Sequence, residues 1–94
     1  MGIENVPSDG NHLILKAEFS AGKAMPEHYA TCDAFVIMTK GKIVITIEGQ
    51  KNEVSTGEIF KIPANKTHIL EVIDDFKAYI IMKPDGEIKY TGND

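Results

Sequence analysis

Apolar and polar residues alternate with a period of two along much of the chain, the pattern of strands that bury one face. Residues 12–19 set it, with Leu13, Leu15, Ala17 and Phe19 on one side and Ile14, Lys16 and Glu18 on the other. His12 opens this run and reads as an exposed strand-end residue. Residues 43–47 alternate in the same way and close at Glu48-Gly49-Gln50, a hairpin turn. Residues 51–54 are polar, as an edge or outer strand would be. Residues 34–39, AFVIMT, break the rule: Val36 and Met38 face one way and Phe35 and Ile37 the other. A strand apolar on both sides needs cover on both sides, from a second sheet or a second subunit.

Glycine and proline punctuate these runs. Residues 1–11 hold Gly2, Pro7 and Gly10 among polar residues and read as a loose leader, which leaves 12–94 as a single domain. Residues 20–29, SAGKAMPEHY, read as turn-rich up to a short strand at His28, Tyr29 and Ala30. Lys40-Gly41 reads as a tight connection, and Asp74-Asp75 as an acidic turn between the apolar runs 68–73 and 76–82. Between them lies GEIFKIPANKTH, residues 57–68, which reads as strand, corner, strand: Gly57 supplies the turn, Pro63 ends the first run and His68 opens the second. Pro84-Asp85-Gly86 turns into a last short strand at 87–90. No stretch of ten residues carries a helical period. The expectation is an all-β barrel or sandwich.

Charge and composition narrow the function classes. The net charge is −4, and all ten basic residues are lysines spread from Lys16 to Lys89 without a cluster, so nucleic acid is a poor partner. Without arginine there is no planar fork for bidentate grip on phosphate or carboxylate, which disfavours a highly anionic ligand. No apolar run approaches the roughly 18–20 residues of a membrane-spanning helix, and no membrane partner is expected. Cys32 stands alone, which excludes an internal disulfide and fits a reducing compartment. A cytoplasmic protein is expected. Serines 8, 20 and 55 lack any acid–base pattern around them, and there is no phosphate-binding glycine loop.

Two spacings carry chemistry. Gly22, five residues, His28 and then Gly41 resemble the first motif of the cupin superfamily, G-x5-H-x-H-x3-E-x6-G. Gly57, five residues, Pro63 and then His68 resemble the second, G-x5-P-x-G-x2-H-x3-N. The fifteen residues between Gly41 and Gly57 resemble the short spacer of small single-domain cupins. The resemblance implies a conical β-barrel of jelly-roll type, a double-stranded β-helix, with a site inside it and a homodimer as the common assembly. It also implies a divalent transition metal held by the motif histidines and glutamate.

The chain departs from that ligand set. Ala30 stands at the second histidine position, Ala34 at the glutamate, Asn65 at the second-motif glycine and Val72 at its asparagine. His28 and His68 remain as the candidate metal ligands, and a third would have to come from Glu27, Tyr29, Cys32 or Asp33. In this register His28, Ala30, Ala34, Val36, Met38, His68, Leu70 and Val72 face one interior, with Met25 and Met82 as adaptable neighbours. A mostly apolar cavity with two imidazoles fits a binding module for a small, weakly charged molecule. The alternative is a metal-dependent enzyme of the dioxygenase or isomerase type.

Overall fold

A computed structural model of the chain describes residues 2–91. Eight strands follow in order: β1 Gly2–Val6, β2 Leu13–Phe19, β3 Ala24–Ala30, β4 Ala34–Ile47, β5 Gln50–Ser55, β6 Ile59–Ile62, β7 His68–Met82 and β8 Ile88–Tyr90. All described neighbours pair antiparallel. The all-β barrel of double-stranded β-helix type expected from the motifs is the architecture observed.

The two long strands, β4 and β7, pair along nearly their whole lengths, from Phe35 opposite Ile81 to Ile47 opposite His68. Because each is bent at its middle, each serves two layers. In the first half, β1, β2, residues 76–82 of β7, residues 34–38 of β4 and β6 lie side by side. In the second half, β8, β3, residues 68–72 of β7, residues 43–47 of β4 and β5 lie side by side. The core is what the two halves enclose, and Ile43, Ile45, Met38 and Phe76 are its largest fully buried side chains.

Three readings from the sequence are corrected here. Lys40-Gly41 and Asp74-Asp75 are not chain reversals but irregular points within β4 and β7, where the register between the strands shifts. Gly41 takes φ +93° and lies so close to the Asp75 carbonyl and Phe76 that a Cβ there would overlap backbone atoms. Its own backbone groups, out of the ladder at the bend, are satisfied by Thr56: the Gly41 amide donates to Oγ1 at 2.9 Å, and the hydroxyl donates to the Gly41 carbonyl at 3.2 Å. Asp75 is equally occupied, since its carboxylate accepts the Ala21 amide at 2.8 Å and fixes the turn after β2. Second, residues 2–6 of the supposed leader are β1, paired with β2 from Gly2 opposite Glu18 to Val6 opposite Ile14. Third, β3 begins at Ala24 within the turn-rich passage, with a register slip between Met25 and His28, a span that includes Pro26, which has no amide to give the ladder.

The hairpin at Glu48-Gly49 is as expected. Both residues have positive φ, 50° and 80°, between the closing pair Ile47 and Gln50, as a two-residue turn matched to strand twist requires.

The crowding at Gly41 separates it from Gly22, which also has positive φ but open space around it. Gly22→Asn should therefore cost less than about 1 kcal/mol, since asparagine tolerates the left-handed region. Gly41→Asn should cost about 2 kcal/mol or more and lower the melting temperature by about 8 °C or more. Thermal unfolding followed by circular dichroism reads both, and equal losses would refute the close crossing of β4 and β7.

Candidate functional site

His28 and His68 are the two buried polar residues of the core, each 4% exposed. They sit directly across from one another on neighbouring strands β3 and β7 of the second half. Their rings contact edge to face, with centroids 4.2 Å apart and planes at 64°. They are thus adjacent on one wall, not on opposite walls of the barrel.

Both rings are held by the same local device. His28 Nδ1 lies 2.6 Å from the Pro26 carbonyl oxygen, and His68 Nδ1 lies 2.9 Å from that of Lys66, in each case two residues back along the chain. A carbonyl only accepts, so each Nδ1 carries the proton and each neutral ring holds its lone pair at Nε2. No protein donor among the described residues meets either Nε2. No buried side-chain nitrogen or oxygen among them is sealed off without a partner, so both Nε2 atoms reach accessible space, and both histidines line the cavity described next. Burial pushes the His68 pKa below the ordinary 6.5, the bond to the Lys66 carbonyl opposes this, and the neighbouring His28 adds to the lowering.

The cavity in front of the rings is about 40 Å³, space for one or a few water-sized groups. The second half contributes Met25, His28, Ala30, His68, Leu70 and Ile88. From the first half come Ala17, Ala34, Val36, Ile62, Ala78 and Met82, closed by Phe76 and Ile80. Of the positions proposed from sequence, the structure brings His28, His68, Met25, Ala30, Ala34, Val36 and Leu70 to this cavity. Met38 and Val72 are buried in the adjoining core but do not line it. Tyr90 was missed: its ring packs 5.5 Å from His28 and covers that imidazole from β8. Ala17 and Ala78, also missed, were readable as inward positions of alternating strands.

None of the proposed third metal ligands lines the cavity. Glu27 accepts a hydrogen bond from Thr91 Oγ1 at 2.7 Å, and Asp33 accepts the Ala64 amide at 2.8 Å and pairs with Lys61. Cys32 is buried against Gly86. Tyr29 is half-buried and lies outside the lining. Among the described residues no three of His, Cys, Asp and Glu come together as a metal group. Two histidines fit two positions of a metal site and leave it without the third ligand or the anionic charge that would offset a dication in an apolar cavity.

The second-motif glycine position explains itself. Asn65 takes φ 63°, the conformation for which glycine is the default and asparagine the best replacement, and its amide donates to the Ala30 carbonyl at 2.8 Å. The substitution keeps the corner that delivers His68.

The cupin-domain family model matches residues 15–82. The chain belongs to the cupin domain family. A relative of this cupin, the uncharacterized protein MJ0764 of Methanocaldococcus jannaschii, is 28% identical over 75 residues, covering 78% of this chain and 61% of the relative, so the chain spans under two thirds of that protein's length. The crystal structure of MJ0764, an RmlC-like cupin with a double-stranded β-helix fold, superposes with TM-score 0.78 at 22% identity, covering 87% of this chain and 78% of that one. A cupin superfamily protein of Desulfitobacterium hafniense superposes with TM-score 0.78 at 22% identity, over 86% of this chain and 74% of that one. A salicylate 1,2-dioxygenase mutant of Pseudoaminobacter salicylatoxidans, in complex with gentisate, superposes with TM-score 0.79 at 13% identity, over 89% of this chain and 25% of that one. These likenesses establish the fold alone.

The lowered His68 pKa makes folding stability depend on pH. Between 6.5 and the lower folded value the unfolded chain binds a proton that the folded chain does not, so stability is full above 6.5 and falls as the pH drops through that window. The slope from this one group is at most about 1.4 kcal/mol per pH unit. Urea unfolding of the wild type and of His68→Gln across this range measures the difference, and parallel pH profiles would show that His68 is not the group responsible.

Proposed function

We propose that this cupin is a binding module that takes a compact, neutral, hydroxyl-bearing group between the two halves of its barrel, without a resident catalytic metal. One observation carries the reading: two adjacent imidazoles, each with Nδ1–H committed to a backbone carbonyl, present only lone pairs to an otherwise apolar cavity. Two acceptors in a hydrocarbon setting favour a hydrogen-bond donor on an apolar body, such as an alcohol or phenol. A ligand without a donor leaves both acceptors dry and unpaired, which costs about 1–3 kcal/mol for each buried acceptor. An anion meets no cation there. At about 40 Å³ the cavity as it stands admits the hydroxyl and little more, so a ring enters by displacement of Met25 and Met82, unbranched thioethers that repack readily.

A second reading has its own support. A histidine that donates Nδ1–H to a carbonyl and keeps Nε2 free has the arrangement that orients metal-ligating histidines. On that reading the protein is a metal-dependent enzyme of the dioxygenase or isomerase type whose remaining ligands come from substrate or water.

Phenol titration followed by the imidazole ¹⁵N resonances separates the two. The binding module should show a saturable shift at the Nε2 that accepts the phenol hydroxyl, and replacing that histidine by leucine (His28→Leu or His68→Leu), which keeps bulk and removes the acceptor, should weaken phenol binding about fivefold to tenfold. Metal analysis of protein purified without chelators or an affinity tag should find divalent metal well below one equivalent. Stoichiometric metal that disappears in the leucine variants would replace the first reading by the second.

A further inference from the structure

Beyond the last rung of the first half, strand register brings together residues that the barrel interior does not use. β2 and β7 pair as far as Leu13 opposite Met82, and β7 and β4 as far as Ile81 opposite Phe35. Carried on at the same offset, His12 falls next to Lys83, and Lys83 next to Asp33. Each of the three lies two residues, one strand period, past Ile14, Ile81 and Phe35, and so extends the same outward face. All of these but Ile14 border a groove of about 610 Å³ that Met82, Pro84 and Ala64 also line.

The two acids whose fields reach His12 and Lys83 are already taken. Asp33 accepts the Ala64 amide at 2.8 Å and pairs with Lys61 at 3.4 Å, and Asp9 accepts the backbone and side-chain amides of Asn11 at 2.9 and 3.0 Å. Among the described residues, the Lys83 ammonium and the His12 imidazole make no hydrogen bond or ion pair. Lys83 thus brings a full charge, and His12 an N–H in either protonation state, to a groove with Phe35 and Ile81 in its wall. Phe35 is 43% exposed, an aromatic face left open beside them.

We propose that this groove is a second ligand site, outside the barrel interior, for a small monocarboxylate on a flat apolar body, such as an aromatic acid. The carboxylate accepts from the Lys83 ammonium and the His12 N–H, charge-assisted bonds stronger than neutral ones, while the body lies along Phe35 and Ile81. Size agrees, since pockets for small molecules run from about 300 to 1,000 Å³. Charge sets the class more narrowly. One ammonium offsets one carboxylate, a second anionic group meets the Asp33 carboxylate beside Lys83, and without arginine no planar fork is at hand to grip a phosphate. The groove and the imidazole cavity are separate spaces: among the described residues Met82 alone lines both. They also differ in chemistry, a hydrogen-bond donor being wanted at the imidazoles and an acceptor in the groove, so either site stands without the other.

Benzoate titrated into ¹⁵N-labelled protein at low ionic strength tests this, with benzamide as its uncharged isostere. Benzoate should give saturable backbone amide shifts at Phe35, Ile81 and Lys83. Benzamide should bind about tenfold more weakly, and so should benzoate to Lys83→Met, which keeps the aliphatic stem of an exposed side chain and removes its charge. Phe35→Ala should weaken benzoate about fivefold. Lys77→Gln, on the same strand and face but paired with Glu18 at 3.7 Å, should leave the affinity as it is. No saturable shift at the three amides, equal affinity for benzoate and benzamide, or binding lost in His28→Leu and kept in Lys83→Met would overturn the proposal.

Discussion

The antiparallel pairing of β4 with β7 is the constraint on which the rest of the molecule depends. Fourteen and fifteen residues long, these strands far exceed a usual strand, and a flat pair of that length could not enclose a core. The bend at Lys40–Gly41 and Asp74–Asp75 converts one ladder into two layers, and all other strands add to its flanks. Glycine at position 41 is what lets the two backbones approach at the bend, and Thr56 supplies the hydrogen bonds that the bent segment loses. The barrel's closure is therefore a local backbone event with global reach.

From this frame the histidine pair follows by register. His68 is the first residue of β7, and pairing with β4 and β3 fixes it beside Ile47 on one side and His28 on the other. The slip in β3 between Met25 and His28 turns His28 inward beside it, and the Lys66 and Pro26 carbonyls then hold both rings in one tautomer. Neither the orientation nor the tautomer of the neutral rings is left to solvent. A shared site arises because two motif positions distant in sequence are neighbours across a single strand pair.

Much of this was legible beforehand. Alternation gave the one-sided strands, and the spacing of Gly22, His28, Gly41, Gly57, Pro63 and His68 pointed to the barrel and to the pair. What stayed hidden is non-local. Lys40-Gly41 and Asp74-Asp75 have the composition of turns, and only the presence of a continuous partner strand decides that such residues bend a chain instead of reversing it. β1 is short and mostly polar, so its strand character comes from the free edge of β2 and not from its own pattern. The motifs put His28 and His68 in one interior, and register across β3 and β7 is what sets them side by side.

The two alanines define what kind of site remains. At positions where the resemblance implied a histidine and a glutamate, Ala30, beside His28 on β3, and Ala34, from the other half, are each 4% exposed and line a cavity of only about 40 Å³. Two alanines there do not leave a large void, because Ile62, Ile80, Ile88, Met25 and Met82 line the same space. The lining is hydrocarbon where the resemblance implies charge: none of its residues is anionic, and its two histidines have Nδ1 committed to backbone carbonyls. A dication would enter this space without compensation, whereas on the proposed reading a hydroxyl enters with an acceptor waiting for its one proton. On the binding reading proposed above, such a site discriminates between a donor and a non-donor, because its apolar lining offers the two acceptors no other partner.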